Sequence, residues 1–149
     1  MRVVIQRVSQ ASVTVENEII SEIKTGLLVL LGVGEGDTKD IVTRYMDKIF
    51  KLRIFSDSNG KTNLSLSDVQ GEILLVSQFT LYASCKKGNR PDFIQAGNAA
   101  LAKELYEYAL AYTKDKLGKV EAGIFGADMK IALVNDGPFT LILDEDLMS

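Results

Sequence analysis

The segment that begins at Ser77 and reads Ser-Gln-Phe-Thr-Leu-Tyr carries the side chains best suited to chemistry. It follows directly on the apolar run Ile73–Val76, so a strand changes abruptly from aliphatic to polar. A hydroxyl or amide buried there needs a hydrogen-bond partner, because burial without one is costly. A strand that emerges at a cleft meets this need and presents Ser77, Gln78 and Thr80 to a ligand. An ordinary solvent-exposed strand end, with Phe79 in the core, accounts for the same residues equally well.

The residue types that are missing restrict the chemistry further. The chain contains no histidine and a single cysteine, Cys85. This excludes Ser-His-Asp and Cys-His arrangements, as well as zinc sites built from histidine and cysteine. Thr80 therefore lacks an obvious base that could activate it as a nucleophile. Hydroxyls, carboxylates, lysines, backbone groups and the substrate itself remain as catalysts, and we expect no metal and no cofactor.

A basic loop follows the polar segment. Lys86, Lys87 and Arg90 place three positive charges within five residues, and an aromatic residue, Phe93, comes shortly after them. Such a loop could contact the phosphates of RNA, although a solvated surface loop is the commoner outcome for a short charge cluster. Because the loop begins four residues after Tyr82, a polyanion bound there would place its end near the polar segment.

A glycine and a proline interrupt what otherwise looks like one strand, Lys130–Leu143, within the letters NDGPFT that begin at Asn135. Proline cannot donate to a central ladder, so the sheet must bulge, turn or reach an edge there. Gly137 can adopt a positive φ and leaves its carbonyl uncovered. A cis bond to Pro138 would allow adjacent carbonyl oxygens to point the same way as a rigid acceptor, whereas a bulge or hairpin turn is the commoner solution.

The elements that must position these segments fit one α+β domain over residues 1–149. Strands dominate, only two main helices occur, and regular strand-helix alternation is absent, which favours a curved antiparallel or mixed sheet partly closed into a β-barrel-like fold. The predicted strands are Arg2–Val8, Ala11–Val15, Ile19–Ile23, Leu27–Leu31, Glu72–Tyr82, Lys119–Ala122 and Lys130–Leu143. Leu27–Leu31 is apolar throughout, as expected of a strand buried on both faces.

Helical spacing of apolar residues predicts the two helices. The first ends near Leu52 and can be capped by Asp37 or Thr38. The second covers about 98–116 and stops before Gly118, after a lysine-rich last turn.

Charge and hydropathy indicate the setting. The formal net charge of −3 gives no sign of a general polyanion binder, so any contact with nucleic acid must use a local patch. No apolar run approaches the roughly 20 residues of a membrane span, and the start of the chain lacks the features of a signal peptide. We therefore expect no membrane association and a reducing, cytoplasmic location.

Four motifs in fixed order give the chain a family resemblance. They are MRVVIQRV from Met1, SQFTL from Ser77, AGIFGADM from Ala122 and NDGPFT from Asn135. Together, and with the length of the chain, they resemble the D-aminoacyl-tRNA deacylase family. Phe139 departs from that pattern, since many members carry a smaller aliphatic residue there, and the departure concerns local packing alone.

The resemblance implies a homodimer that hydrolyses the ester between a D-amino acid and the terminal adenosine of tRNA. The Gly-Pro bond would be cis and would reach into the pocket of the other subunit. The implied catalytic residues are Ser77, Gln78, Phe79 and Thr80, and the implied substrate-binding residues are Gly137, Pro138, Met129 and Arg7. Met129 would line the pocket, and Arg7 would brace the Gly-Pro loop from beneath.

This arrangement suits a chain without histidine. Two backbone carbonyls can accept hydrogen bonds from the substrate ammonium while excluding an L side chain, and glycine would escape such a filter. Backbone N–H groups around Phe79 and Thr80 could hold the oxyanion while the ribose 2′-OH orients water. Thr80 as a covalent nucleophile is the competing mechanism. Two other functions fit the residues: a non-catalytic RNA-binding module that uses the basic loop, and a dimeric protein that binds a small ligand.

Overall fold

One long strand organises the sheet of this protein. The computed structural model describes residues 1–148. The strands are β1 (Arg2–Val15), β2 (Glu18–Ile23), β3 (Gly26–Gly32), β4 (Phe55–Ser56), β5 (Thr62–Leu64), β6 (Glu72–Ser77), β7 (Glu121–Ala122) and β8 (Lys130–Leu143). The helices are α1 (Lys39–Lys51), α2 (Ala99–Leu117) and α3 (Glu145–Met148), and a 3₁₀ turn covers Phe79–Tyr82.

The main sheet is mixed and curved. Its strands run in the order β2-β1-β3-β6-β7, and β8 pairs along the other edge of β1. The β3–β6 and β6–β7 pairs are parallel, whereas β1 pairs antiparallel with β2, β3 and β8. The Ser21 hydroxyl of β2 donates to the Ala122 carbonyl of β7 at 2.5 Å, which brings the two ends of the sheet together. The sheet is thus nearly closed, and the predicted α+β, barrel-like fold is confirmed.

Strand β3 separates two apolar cores. Leu27, Val29 and Leu31 pack on the side covered by α1 and α2. Leu28 points to the other side, where it packs with Val8 and other residues inside the barrel. Both sets are almost fully buried, which explains why Leu27–Leu31 shows no polar alternation.

Side chains of the preceding residues cap both main helices. Thr38 Oγ1 accepts a hydrogen bond from the Ile41 amide, so Thr38 caps α1. Asp37 accepts instead from the Gly34 amide at 2.7 Å and from the Met1 ammonium at 2.9 Å. At α2, the Asn98 side chain accepts from the Leu101 amide at 2.9 Å, and the left-handed Gly118 ends the helix as its sequence predicts.

Several predicted strand bounds were wrong. The predicted strand Glu72–Tyr82 ends at Ser77, because its partner β3 ends at Gly32 and no further residue pairs with it. The two predicted strands over residues 2–15 are one strand, since β8 pairs along nearly all of it. The predicted strand Lys119–Ala122 is β7, which starts at Glu121.

Three short elements had no sequence prediction. They are β4, β5 and α3, which contain two to four residues each and are too short to show a hydrophobic period. Over residues 1–148, no helix combines the length and the apolar character needed to cross a membrane.

Candidate active site

A cleft of about 530 Å³ opens where β6 ends. It lies between the start of α2 and the segment 125–129, and its walls are mostly apolar. Ser77, Gln78, Phe79 and Met129 of the sequence-predicted residues all line it. The chain therefore places two distant motifs, SQFTL and AGIFGADM, on opposite sides of one cavity.

A 3₁₀ turn begins at Phe79, in the wall of this cleft. The Gln78 amide still bonds to the Leu31 carbonyl of β3 at 2.9 Å, and the backbone then leaves the sheet. The amides of Phe79 and Thr80 begin the 3₁₀ turn, where the first N–H groups have no acceptor within the turn itself. The Gln78 side-chain amide donates to the Thr80 hydroxyl, so these two side chains hold each other at the rim.

Met129 packs closely on the backbone in the opposite wall. A Cβ on Gly123 would lie 2.5 Å from Met129 Sδ, so the Met129 side chain lies directly against Gly123. Tyr106 of α2 supports the floor by donating to the Leu75 carbonyl at 2.7 Å. Burial raises the pKa of Tyr106 to about 12, because the phenolate would lose its hydration. Tyr106 is therefore a neutral hydrogen-bond donor at physiological pH.

The Gly-Pro segment forms an exposed excursion from β8. In the β1–β8 ladder, Gln6 pairs with Thr140 and Val8 pairs with Asn135, so residues 136–139 stand opposite a single residue. The Gly137–Pro138 bond is cis, and Gly137 has a φ of 147°, in the region that favours glycine. We call residues 136–139 the Gly-Pro loop.

Arg7 is the single residue opposite the Gly-Pro loop, and it contacts the loop at two points. Its Nε donates to the Asp136 carbonyl at 2.8 Å, and its guanidinium lies 4.8 Å from the centre of the Phe139 ring. Its Nη1 donates to the Ile54 carbonyl at 2.7 Å, which ties the loop to the segment before β4. One planar cation thus joins three parts of the chain.

Asn135 closes the Gly-Pro loop from its other end. Its Oδ1 accepts from the Phe139 amide at 2.6 Å, and its Nδ2 donates to the Thr140 hydroxyl at 2.9 Å. No separate role for Asn135 was predicted from the sequence. Its position just before a Gly-Pro turn could have indicated this role, because the side chain of an asparagine before a turn commonly forms a hydrogen bond with the backbone a few residues on.

Within one chain, the Gly-Pro loop and the cleft are separate. None of residues 136–139 lines the cleft, and Arg7 faces the loop rather than the cavity. The sequence-predicted residues thus form two groups, with Ser77, Gln78, Phe79 and Met129 in one and Arg7, Gly137 and Pro138 in the other. Thr80 is joined to the first group through its bond to Gln78.

The basic loop starts beside the cleft. Ser84 and Asp92 exchange two backbone hydrogen bonds, of 2.8 and 2.9 Å, which close the exposed loop that carries Lys86, Lys87 and Arg90. Directly after this bridge, the Phe93 ring packs edge to face on Phe79, with ring centres 5.0 Å apart. Among residues 1–148, no group of three or more His, Cys, Asp or Glu side chains is placed to hold a metal ion.

Comparison with known proteins supports one family. The family model described as D-Tyr-tRNA(Tyr) deacylase matches residues 4–144. A protein of Lactobacillus gasseri named D-aminoacyl-tRNA deacylase is 57% identical over 144 residues, which cover 97% of this chain and 99% of that protein. A protein of the same name from Dictyoglomus turgidum is 54% identical over 148 residues, covering 99% of this chain and 95% of that protein.

The fold of one solved structure is similar to that of this chain over nearly its whole length. The protein named c-Myc DNA Unwinding Element Binding Protein has a TM-score of 0.92 to this chain at 42% identity, covering 97% of this chain and 99% of its own. The family match extends over both the cleft and the Gly-Pro loop. By its sequence, the chain belongs to the D-Tyr-tRNA(Tyr) deacylase family.

Proposed function

We propose that this protein hydrolyses the ester bond between a D-amino acid and the 3′-terminal adenosine of tRNA. Relatives at 54–57% identity over nearly the whole chain carry the name of this activity. The observation that carries the proposal is the cleft at the end of β6, because it combines apolar walls with main-chain donors at its rim. An adenosine ester offers a flat aromatic base whose faces can pack against such walls and a carbonyl oxygen for such donors.

The chemistry in this proposal uses main-chain groups and the substrate. The amides of Phe79 and Thr80 stabilise the oxyanion that forms when water attacks the ester carbonyl, an effect worth roughly 3–4 kcal/mol per donor. The 2′-OH of the terminal ribose orients the attacking water. The ester C–O bond then breaks, the amino acid leaves as a free acid, and the ribose oxygen takes a proton.

Selection between D and L forms requires the second group of residues. In our proposal the protein is a homodimer, and the Gly-Pro loop of one subunit enters the cleft of the other. Its carbonyl oxygens accept hydrogen bonds from the substrate ammonium and leave no space for an L side chain, whereas glycine is not excluded. Three facts support this: residues 136–138 of the loop are exposed, Arg7 and Asn135 hold the loop, and the loop lies outside the cleft of its own chain.

Matched D- and L-aminoacyl-tRNA test the proposal directly. We expect free amino acid to appear from the D substrate alone, with the same rate after a chelator is added. Equal hydrolysis of both forms would contradict the filter. Binding of tRNA without any hydrolysis would instead support a non-catalytic RNA-binding module, and failure to bind tRNA would support a small-ligand protein.

Replacement of Thr80 distinguishes the two mechanisms. We expect Thr80→Ala to keep deacylation within about tenfold of wild type, because only its main-chain amide acts in the proposed step. Thr80 is exposed and its hydroxyl accepts a hydrogen bond from the Gln78 side-chain amide, so removal of the hydroxyl should leave the fold unaffected. Single-turnover rates for Thr80→Ala and Thr80→Ser provide the measurement. A complete loss in Thr80→Ala that Thr80→Ser restores, with tRNA binding intact, would establish the hydroxyl as nucleophile.

Charge removal tests the basic loop. The double variant Lys86→Ala/Lys87→Ala should bind tRNA more weakly, and its plot of log affinity against log salt should be shallower by about 1.4, because each lysine releases about 0.7 counterions from a single strand. Lys48→Ala/Lys51→Ala removes the same charge from exposed positions in the last turns of α1 and is the control. Equal slopes for the two double variants would show that the loop does not contact phosphates.

A further inference from the structure

Two exposed apolar side chains stand beside the cleft without lining it. Phe93 is 36% exposed and Ile94 is 78% exposed, and the proposed chemistry uses neither of them. The Phe93 ring contacts Phe79, which lines the cleft and is itself 53% exposed. We call these three residues the apolar ledge (Phe79, Phe93 and Ile94). The ledge extends the apolar surface of the cleft outward in one direction.

Backbone hydrogen bonds hold the ledge in place. The Ala96 amide donates to the Phe93 carbonyl at 3.0 Å and closes a turn around Ile94. The Gly97 amide donates to the Val33 carbonyl at 2.9 Å and ties this turn to the end of the main sheet. A large side chain on a fixed backbone loses little conformational freedom when a ligand covers it, which favours binding.

The charges beside the ledge indicate what covers it. The exposed basic loop, with Lys86, Lys87 and Arg90, leads directly into Phe93 through the Ser84–Asp92 bridge. Sites for single-stranded nucleic acid typically combine two features. Basic side chains contact the phosphate backbone, and aromatic rings stack on the bases. Phe93 follows the basic loop in the chain and contacts Phe79 in the cleft wall, so a strand that runs from the basic loop into the cleft would pass over Phe93.

We propose that the apolar ledge binds the nucleotide that precedes the terminal adenosine of tRNA. Its base stacks on the exposed face of Phe93, and its phosphates lie against the basic loop. This inference rests on the proposed function, because the terminal adenosine has to occupy the cleft. Phe93 is then a substrate-binding residue for the RNA and has no part in the hydrolytic step.

A purely structural role for Phe93 makes a different prediction. If Phe93 only supports Phe79, its replacement disturbs the cleft itself, and kcat/KM falls equally for every substrate. If Phe93 stacks on RNA, only substrates with a nucleotide before the terminal adenosine are affected. A comparison of D-aminoacyl-tRNA with D-aminoacyl-adenosine, which lacks that nucleotide, therefore separates the two roles.

The test uses Phe93→Leu, which keeps an apolar contact with Phe79, and Phe93→Trp, which keeps a stacking surface. Phe50→Leu is the matched control, because Phe50 also contacts an aromatic ring, Tyr112, but near the far end of α2. We expect Phe93→Leu to lower kcat/KM for D-aminoacyl-tRNA roughly tenfold through KM, in line with the loss of one stacked base. D-aminoacyl-adenosine should be cleaved at the wild-type rate, and Phe93→Trp should restore the tRNA value.

A binding measurement keeps this test separate from the test of the activity. Affinity for an uncharged single-stranded RNA of a few nucleotides that ends in adenosine should fall roughly tenfold in Phe93→Leu, with affinity for adenosine unchanged. Equal loss on both substrates, or no loss of RNA affinity, would overturn the ledge assignment. If the wild-type enzyme cleaves neither ester, the proposed function fails, and the RNA titration still decides whether Phe93 stacks on a base.

Discussion

Gly137→Ala is expected to lower kcat/KM for D-aminoacyl-tRNA by about 100-fold, the effect of a misplacement of about 1 Å in a reacting site. Gly137 has a φ of 147°, which an L residue rarely adopts. A Cβ there would lie 2.9 Å from the Phe139 amide nitrogen and 3.0 Å from Arg7 Nη2. Both neighbours anchor the Gly-Pro loop, so the added methyl group displaces the proposed filter rather than a flexible surface group.

Gly60→Ala provides the control for this prediction. Gly60 also has a positive φ, of 75°, but it lies in the β4–β5 turn and a Cβ there meets nothing within 4 Å. Both variants should show the wild-type circular dichroism spectrum, since both positions are exposed. Steady-state rates on D- and L-aminoacyl-tRNA provide the comparison. Wild-type rates and selectivity in Gly137→Ala would show that the loop takes no part in selection.

Arg7→Lys is expected to have the second-largest effect, a loss of at least tenfold in kcat/KM, equivalent to about 1.4 kcal/mol of transition-state stabilisation. Lysine keeps the positive charge but lacks the planar fork that binds the Asp136 and Ile54 carbonyls together and stacks on Phe139. The free energy of unfolding should also fall by about 2 kcal/mol, because hydrogen bonds from a charged group are lost.

The second variant, Arg53→Lys, separates these two consequences. Arg53 is exposed and lies just before β4, and its Nε donates to the Asn63 carbonyl of β5 at 2.8 Å, so its replacement also loses a bond to the backbone. Denaturant unfolding and steady-state kinetics should show a smaller loss of stability in Arg53→Lys and no loss of activity. If Arg7→Lys is destabilised but fully active, Arg7 contributes to the fold alone and does not position the Gly-Pro loop.

Local patterns were sufficient for much of the fold. The unbroken apolar run Leu27–Leu31 predicts burial on both faces, and β3 does separate two cores. Asn98 and Gly118 predict the two ends of α2, because a side-chain cap and a left-handed glycine act within a few residues of the chain. These features could be predicted from the sequence because the residues whose interactions decide them lie close together in the chain.

Long-range pairing determined what the local patterns could not. The predicted strand Glu72–Tyr82 keeps β-type residues past Ser77, yet it ends there because β3 offers no further partner. Arg7 contacts the Gly-Pro loop because the antiparallel β1–β8 register puts it opposite residues 136–139, almost a full chain length away.

The candidate site divides in the same way. By itself the sequence determined the residue types, the absence of histidine and the four ordered motifs that indicate the family. The family resemblance already implied that Met129 lines the pocket. Only the tertiary structure placed Phe93 on Phe79 and held the Gly-Pro loop away from the cleft of its own chain. The reason is physical: composition and spacing act over a few residues, whereas a site made from several strands depends on how the whole sheet curves and in which register its strands pair.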